Sequence, residues 1–445
     1  MCKAFYYKSY DFDYKTGVLT LNYEVQDEIN NHFFTERIFF PTIDECLADN
    51  RLFVLNRIFF LTHIAFGISY FKAFCPQKLY IESGSLTQQE ADFFNRFYLE
   101  GLGEFAVRNQ LNLQGKISFP FSDELYQKRF VSLQQRFLIP VGGGKDSCVS
   151  IETIKDIGYP CMAVSVGNPR PIQECVRVSG LPHLILRREI SPHLIELNKT
   201  GRVFNGHVPI TGMLAFLLWA CGIIYDYRFV ALSCERSANS CNLMQGDLPI
   251  NHQFSKSFEF EKMFYDLTTS ITPEFRYFSL LRPLSELHIA RLFGQQCSSF
   301  FDVFTSCNRA FKLDETIRID RWCGNCDKCR FVFLILAPFM DKKRLVQIIG
   351  KNLLDDETQL TGFEELLGLK GHKPFECVGE IEESRMAFSI LAQSDSWKND
   401  KVIKLLSSKI PFFSPADMYQ KLLTPDNCHL LPKEIAIYVM ERFKR

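Results

Sequence analysis

Three glycines, a lysine, an acidic residue and a serine follow one another in this chain, in the segment GGGKDS at Gly142–Ser147. An apolar stretch, RFLIPV, leads directly into them. Glycines let the backbone turn tightly and bring its N–H groups to an anion, and a helix that Ser147 opens would point its positive end at the same place. Lys145 adds a full positive charge. This pattern predicts a loop that binds phosphate.

Spacing excludes two common nucleotide motifs. A Walker A loop would need Gly and Ser or Thr where Ile139 and Asp146 stand, and a dinucleotide fingerprint would need Gly in place of Ser147. The segment resembles the S-G-G-x-D-S loop of the PP-loop ATP pyrophosphatases, although Gly142 replaces the leading serine. That resemblance implies binding of ATP and Mg²⁺ and cleavage between the α and β phosphates. The alternative is a glycine-rich turn without a ligand. The predicted nucleotide-binding residues are Gly142, Gly143, Gly144, Lys145, Asp146, Ser147 and Ser165.

Four cysteines form a second group with chemical potential. Cys323, Cys326 and Cys329 stand in WCGNCDKC, and Cys307 precedes them. Four thiolates with two C-x-x-C steps suit a structural zinc ion, and the arrangement resembles the closed zinc site of 7-cyano-7-deazaguanine synthase. A [4Fe–4S] cluster on the last three cysteines is the rival interpretation, and four unrelated buried thiols are the third. Visible absorbance separates zinc from iron.

Composition limits the class of protein. The 445 residues are 47% apolar and 23% charged, with 51 basic and 51 acidic side chains. We therefore expect a globular protein without a nucleic-acid partner. The first residues lack the apolar core of a secretory signal, which predicts a cytoplasmic location, and the apolar runs 51–75 and 210–225 are interpreted as buried helices and not as membrane spans.

Elements that position these groups follow from the hydrophobic pattern. After residue 136, strands and helices alternate as in an α/β, doubly wound, mostly parallel sheet of PP-loop type, in which ligands bind at the carboxyl ends of the strands. Before it, an α+β region begins with a hairpin that turns at 15–17. The predicted domains are 1–132, 133–340 with the cysteine site, and a helical 341–445. The predicted strands are 137–141, 161–166, 183–186, 229–233 and 277–281, and the predicted helices are 147–157, 171–179, 209–224 and 284–293, the last closed by Gly294.

Longer motifs narrow the resemblance. FNGHVPITG, CERSANSCN, NHQFSKSFEFE and RWCGNCDKCRFVFL make the chain similar to the UDP-N-acetyl-α-D-muramoyl-L-alanyl-L-glutamate epimerases of cell-wall synthesis. This resemblance implies ATP-dependent inversion of the terminal L-Glu of a UDP-muramoyl dipeptide to D-Glu, with AMP and diphosphate released. The alternatives are another PP-loop adenylating enzyme, acting on a carboxylate or a nucleobase, and a zinc-stabilised regulator that binds ATP without turnover.

Inversion at a carbon centre needs an acid and a base on opposite faces, or one mobile base. The candidates lie in segments predicted to border the strand ends. Each could equally be a packed or hydrogen-bonded structural residue. Arg170, Arg236 and Lys256 are candidates for holding a diphosphate or carboxylate, with solvated surface charge as the alternative. The acid–base candidates are His207, Cys234, Glu235, Cys241, His252 and Lys256.

Overall fold

A computed structural model describes residues 3–41, 43, 47–124, 126–245, 248–312, 315–371, 373–410 and 415–444. The fold is α/β, with a nine-stranded sheet and a separate two-stranded one. By their contacts the residues group into a first unit of 1–138, 184–230 and 253–278, and a second unit of 139–183, 231–252 and 279–445. The domain boundaries near 132 and 340 stay a prediction.

The strands follow the chain from the amino-terminal hairpin to the region after residue 136. They are β1 Ala4–Asp13, β2 Val18–Gln26, β3 Asn31–Phe39, β4 Lys78–Ile81, β5 Phe137–Pro140, β6 Cys161–Val166, β7 His183–Glu189, β8 Phe229–Leu232, β9 Leu243–Gln245, β10 Leu248–Ile250 and β11 Arg276–Ser279. All five strands predicted after residue 136 are present. The PP-loop type of this sheet stays a prediction.

Sixteen helices occur in the described part of the chain. They are α1 Asp49–Phe74, α2 Gln88–Gly101, α3 Gly103–Arg108, α4 Lys145–Asp156, α5 Arg170–Ser179, α6 Pro192–Thr200, α7 Ile210–Ile224, α8 Phe258–Ile271, α9 Glu286–Gln296, α10 Asp327–Leu336, α11 Lys342–Ile349, α12 Leu360–Leu366, α13 Ile381–Gln393, α14 Lys401–Leu406, α15 Pro415–Leu423 and α16 Lys433–Lys444. The last six form the helical region expected after residue 341.

Strand directions follow from the ladders. β1 and β2 are antiparallel, as the predicted hairpin requires, and Gly17 in their turn has a φ of +69° that favours glycine. In the first unit β3 joins β2 to β7, antiparallel to both. β5 is parallel to β8. The sequence did not reveal β3, because Glu36 places a charge at one of its buried positions, where Arg188 and the Tyr70 hydroxyl pair with it.

Helix α1 carries the longest apolar run. Its length and composition would suffice to cross a membrane, but 78% of its most apolar window is buried inside the protein. Its polar groups are satisfied internally: the Tyr23 hydroxyl donates to the His63 carbonyl at 2.9 Å, and the Tyr70 hydroxyl donates to a Glu36 carboxylate oxygen at 2.7 Å. The interpretation of this run as a buried core helix is confirmed.

Two predicted helix ends are wrong, and both errors concern glycines. Helix α4 begins at Lys145 and not at Ser147, because the extended backbone of Gly144 already serves as its N-cap. Helix α9 continues through Gly294 to Gln296. Gly294 is required for packing instead, since a Cβ there would lie 2.8 Å from the Phe339 carbonyl oxygen.

Candidate active site

The glycine loop connects β5 to α4 in the second unit. Gly143 has a φ of +78°, and a Cβ on it would lie 3.1 Å from the Pro171 backbone. Its carbonyl accepts a hydrogen bond from Thr305 N at 2.8 Å. Gly142, in contrast, has no atom within 4 Å of the position a Cβ would occupy. Packing therefore demands glycine at 143, whereas Gly142 borders open space.

The next residues form the first turn of α4. A Cβ on Gly144 would meet the Ser306 hydroxyl at 2.6 Å. The Ser147 hydroxyl donates to the Gly144 carbonyl at 2.9 Å. Gly144, the N-cap residue of α4, makes no side-chain capping hydrogen bond. The first backbone N–H groups of an α-helix have no partner within the helix and are donors for a ligand. This geometry suits a bound anion.

Lys145 is the cation of the loop, and it is only 1% exposed. Its ammonium forms ion pairs with the carboxylates of Asp146 and Glu286. Burial alone would lower the pKa of Lys145, but these two charges and their hydrogen bonds raise it above its ordinary value. The side chain is therefore held as an ammonium, and an incoming phosphate must share it with Glu286.

Glu286 and Glu383 are functional candidates that the sequence analysis missed. Burial raises the pKa of Glu286 to about 7; Lys145 opposes this shift, and Asp146 and Glu235 add to it. Glu383 accepts a hydrogen bond from the Glu286 backbone N at 2.7 Å. Burial, followed by the charge on Glu286, raises the pKa of Glu383 to about 8. The one available signal was Glu286 in the first turn of a helix that follows a predicted strand.

Three other predicted residues also lie in the second unit. Ser165 donates its hydroxyl hydrogen bond to Gly167 O at 2.7 Å and is hydrogen-bonded to His183 Nε2 at 2.8 Å. Cys234 and Glu235 are buried. Glu235 is close enough to Glu286 to raise the pKa of that carboxyl group.

The remaining acid–base candidates are divided between the units. His207 lies in the first unit, where its Nδ1 is 3.3 Å from Glu104 Oε2. Lys256 also belongs to the first unit, at the end of a short turn, while His252 belongs to the second. Cys241 is exposed.

The arginines proposed as anion holders have different surroundings. Arg170 pairs with Asp320 at 3.3 Å, and both side chains are largely exposed. Arg236 borders an open cavity of about 460 Å³ that is also lined by Asp417 and Lys421. Neither arrangement is specific for a diphosphate.

The four predicted cysteines converge in the second unit, with all sulfur atoms within 4.8 Å of one another. The Sγ–Sγ distances are 3.5 Å for Cys326 and Cys329, 3.7 Å for Cys323 and Cys329, and 3.8 Å for Cys307 and Cys326. Tetrahedral zinc with Zn–S bonds of about 2.3 Å separates its sulfurs by about 3.8 Å. The cysteines thus form a candidate metal site whose sulfur spacing is compatible with one structural zinc ion.

Comparison with known proteins covers most of the chain. The MurL N-terminal domain matches residues 1–280, and the MurL C-terminal domain matches residues 303–420. Three relatives are 40% identical, and each is named UDP-N-acetyl-alpha-D-muramoyl-L-alanyl-L-glutamate epimerase. They come from Xanthomonas oryzae pv. oryzae, with 94% of this chain and 93% of the relative aligned, Micromonospora sp., with 97% of each, and Salinispora tropica, with 92% and 89%.

Proposed function

The chain belongs to the MurL family, and from that premise we propose how its residues invert the terminal glutamate of a UDP-muramoyl dipeptide. It is an isomerase of peptidoglycan synthesis, a UDP-N-acetylmuramoyl-L-alanyl-L-glutamate epimerase. The observation that carries this conclusion is the 40% identity to named epimerases over nearly the full length of both chains. The mechanism below is our proposal.

The substrate itself explains why ATP is needed. The nitrogen of the glutamate is acylated by alanine, so it cannot form a Schiff base with pyridoxal phosphate. Its free α-carboxylate opposes loss of the α-proton, because the carbanion would place a second negative charge on the same group. Adenylation of the carboxylate removes that charge and makes the α-proton more acidic. Each pKa unit gained is worth about 1.4 kcal/mol.

In this proposal the glycine loop binds ATP in a sheet of PP-loop type. The open space beside Gly142, the φ of Gly143 and the unpaired N–H groups at the start of α4 support phosphate binding there. Lys145 transfers part of its ion pairing from Glu286 to the phosphates. The nucleotide-binding set is the predicted one: Gly142, Gly143, Gly144, Lys145, Asp146, Ser147 and Ser165. Ser165 takes part after its hydroxyl leaves the Gly167 carbonyl.

Mg²⁺ would be held by carboxylate oxygens, which this cation prefers. Asp146 is suited to this role because its side chain is 23% exposed and stands in the first turn of α4. Mg²⁺ would neutralise phosphate charge during adenylation. The four cysteines would hold a structural zinc ion, whose four thiolate ligands leave no open position for chemistry.

Proton transfer is assigned to groups outside the loop. His207, Cys234, Glu235, His252 and Lys256 are proposed as the set that contains the acid and the base. Contact with Glu104 would orient the His207 imidazole, as a carboxylate does for a catalytic histidine. Cys234 and Glu235 are adjacent and buried, which restricts their access to water.

The test uses the full chain with ATP, Mg²⁺ and UDP-MurNAc-L-Ala-L-Glu in D₂O. We expect deuterium at the glutamyl α-carbon, formation of the D-Glu epimer, and one AMP and one diphosphate for each activation event. Omission of ATP should abolish deuterium incorporation. Inversion that proceeds equally without ATP would refute adenylation, and absence of both deuterium and inversion would refute the proposed substrate.

A further inference from the structure

Two histidines that the proposed function does not use lie side by side in the first unit. His32 stands at the beginning of β3, and His193 stands in the first turn of α6. They are 161 positions apart in the sequence, yet His32 Nδ1 is 3.1 Å from His193 Nε2. Imidazole nitrogen is the commonest protein ligand of zinc and related ions. The fold thus brings together two metal-ligating atoms from separate elements.

A carboxylate fixes the orientation of one of these rings. His32 Nε2 lies 3.1 Å from Asp27 Oδ2. The other carboxylate oxygen of Asp27 accepts hydrogen bonds from the backbone N of Ile29 and of Asn30, each at 2.7 Å. The turn between β2 and β3 therefore holds Asp27 in place to accept the Nε2–H of His32. His32 Nδ1 is left with its lone pair, directed at His193.

Aromatic rings restrict both imidazoles. The ring centroids of His32 and Phe74 are 5.0 Å apart. His193 stacks on Phe34, with centroids 5.3 Å apart and 26° between the ring planes. Rotation of either imidazole would break these contacts. Because the rings are already held in position, they lose little conformational freedom when a ligand binds.

The spacing of the two nitrogens suits one metal ion. Zinc binds imidazole nitrogen at about 2.0–2.1 Å, so two nitrogens on a tetrahedral zinc lie about 3.3 Å apart. The observed separation of 3.1 Å is close to this value. Imidazole ligands suit zinc, copper and nickel, whereas Mg²⁺ and Ca²⁺ prefer oxygen. A carboxylate behind a ligating histidine, as Asp27 is behind His32, is the usual partner in such sites.

An ion can reach this pair from solvent. The side chains of His32 and Asp27 are 14% and 26% exposed. A cavity of about 370 Å³ in the first unit adjoins them, since Asp27 and Phe74 line it and both contact His32. Water can therefore occupy the coordination positions that the two histidines do not fill.

We propose that His32 and His193 bind a divalent ion of the zinc class, and that Asp27 orients His32 for this purpose. In the metal-free chain one proton lies between the two facing nitrogens, as a contact of 3.1 Å requires. When the ion binds, His193 Nε2 gives this proton to solvent, and both nitrogens donate a lone pair to the metal. The ion connects α6 to the end of the β2–β3 hairpin. This site is independent of the proposed function and of the four cysteines, which lie in the second unit.

Zinc titration of the full chain without a histidine tag tests the site. Dialysis first removes any ion that is held by only two protein ligands, and zinc chloride is then titrated in a calorimeter. We expect the wild type to bind one ion more than His32→Gln and one more than His193→Gln. Asp27→Asn should keep this additional ion with an affinity lowered about 10–100-fold, as is typical when the carboxylate behind a ligating histidine is removed.

His207→Gln is the matched control, because His207 belongs to the same unit and also contacts a carboxylate, at 3.3 Å. It should bind as many ions as the wild type. Added zinc should raise the melting temperature of the wild type and of His207→Gln more than that of His32→Gln or His193→Gln, and melting without zinc establishes that each variant is folded. If the wild type binds no more ions than the His32 and His193 variants, or if His207→Gln loses the additional ion, the inference is overturned.

Discussion

Replacement of Lys145 by methionine tests whether the ion pair with Glu286 stabilises the second unit. Both side chains are 1% exposed, so loss of the ammonium leaves a carboxylate that water cannot reach. Asp146 can turn to solvent, since its side chain is already 23% exposed. The cost therefore comes from Glu286. Breaking a buried pair from one side typically costs about 3–5 kcal/mol, and we expect a value near the lower end.

The pH dependence of this loss has a definite sign. With Lys145 present, the pKa of Glu286 is about 7, above its ordinary 4.5. A carboxyl group whose pKa is raised by folding contributes its full stability at pH values below its pKa in the unfolded chain. This contribution is lost as pH rises through its pKa in the folded chain. Without Lys145 the pKa of Glu286 rises further, because burial and the like charges are then opposed only by the weaker effect of Lys328. The deficit of Lys145→Met should be small near about pH 5.5, reach about 1.4 kcal/mol near about pH 8, and approach its full size only about two units above the folded pKa of the wild type.

Urea unfolding followed by tryptophan fluorescence at these two pH values measures the effect. The double variant Lys145→Met/Glu286→Gln replaces both charges and should recover to within about 1 kcal/mol of the wild type at pH 8. Lys155→Met, at an exposed site of the same helix, is the matched control and should change little. Equal losses at both pH values, or a double variant no more stable than Lys145→Met, would refute the reasoning. Both Lys145 variants should fail to release diphosphate from ATP.

Three further predictions concern single sites. Gly143→Ala should lower stability and abolish AMP formation, because its φ of +78° and a backbone atom 3.1 Å from the new Cβ oppose it, whereas Gly142→Ala should fold normally and differ only in the KM for ATP. Cys326→Ser should lose the metal and lower the melting temperature, while Cys428→Ser, at an exposed cysteine, should retain one zinc ion per chain by elemental analysis. Visible absorbance from iron in the wild type would contradict the zinc assignment. Lys72 of α1 is 6% exposed, and its Nζ donates to the Gly206 carbonyl at 3.0 Å. Lys72→Met should stabilise the protein by about 2 kcal/mol at pH 7, from the pKa of about 8 against an ordinary 10.5 less a lost hydrogen bond. Because a lowered lysine pKa penalises the folded state most below 8, that gain should shrink as pH rises to about 10.5, and a gain independent of pH in thermal unfolding would be inconsistent with it.

Much of the secondary structure could be predicted because its signals are local. The predicted turn at 15–17, which the structure contains with Gly17 at a positive φ, depends on residues at most a few positions apart. The strands after residue 136 were also recognisable, since short apolar runs between helical patterns indicate buried strands. The errors at Ser147 and Gly294 arose where a glycine has more than one use, and only the packed neighbours decide which applies.

The sequence alone determined the chemistry that this protein can offer: a glycine loop with Lys145, four cysteines at metal-binding spacing, and motifs similar to one epimerase family. The tertiary structure decided which groups act on one another. Lys145 and Glu286 are 141 positions apart, and Lys72 and Gly206 are 134 apart. No periodicity connects such distant positions. Their pairing depends on how strands and helices pack, and burial, which shifts the pKa of each group, exists only once the chain has folded.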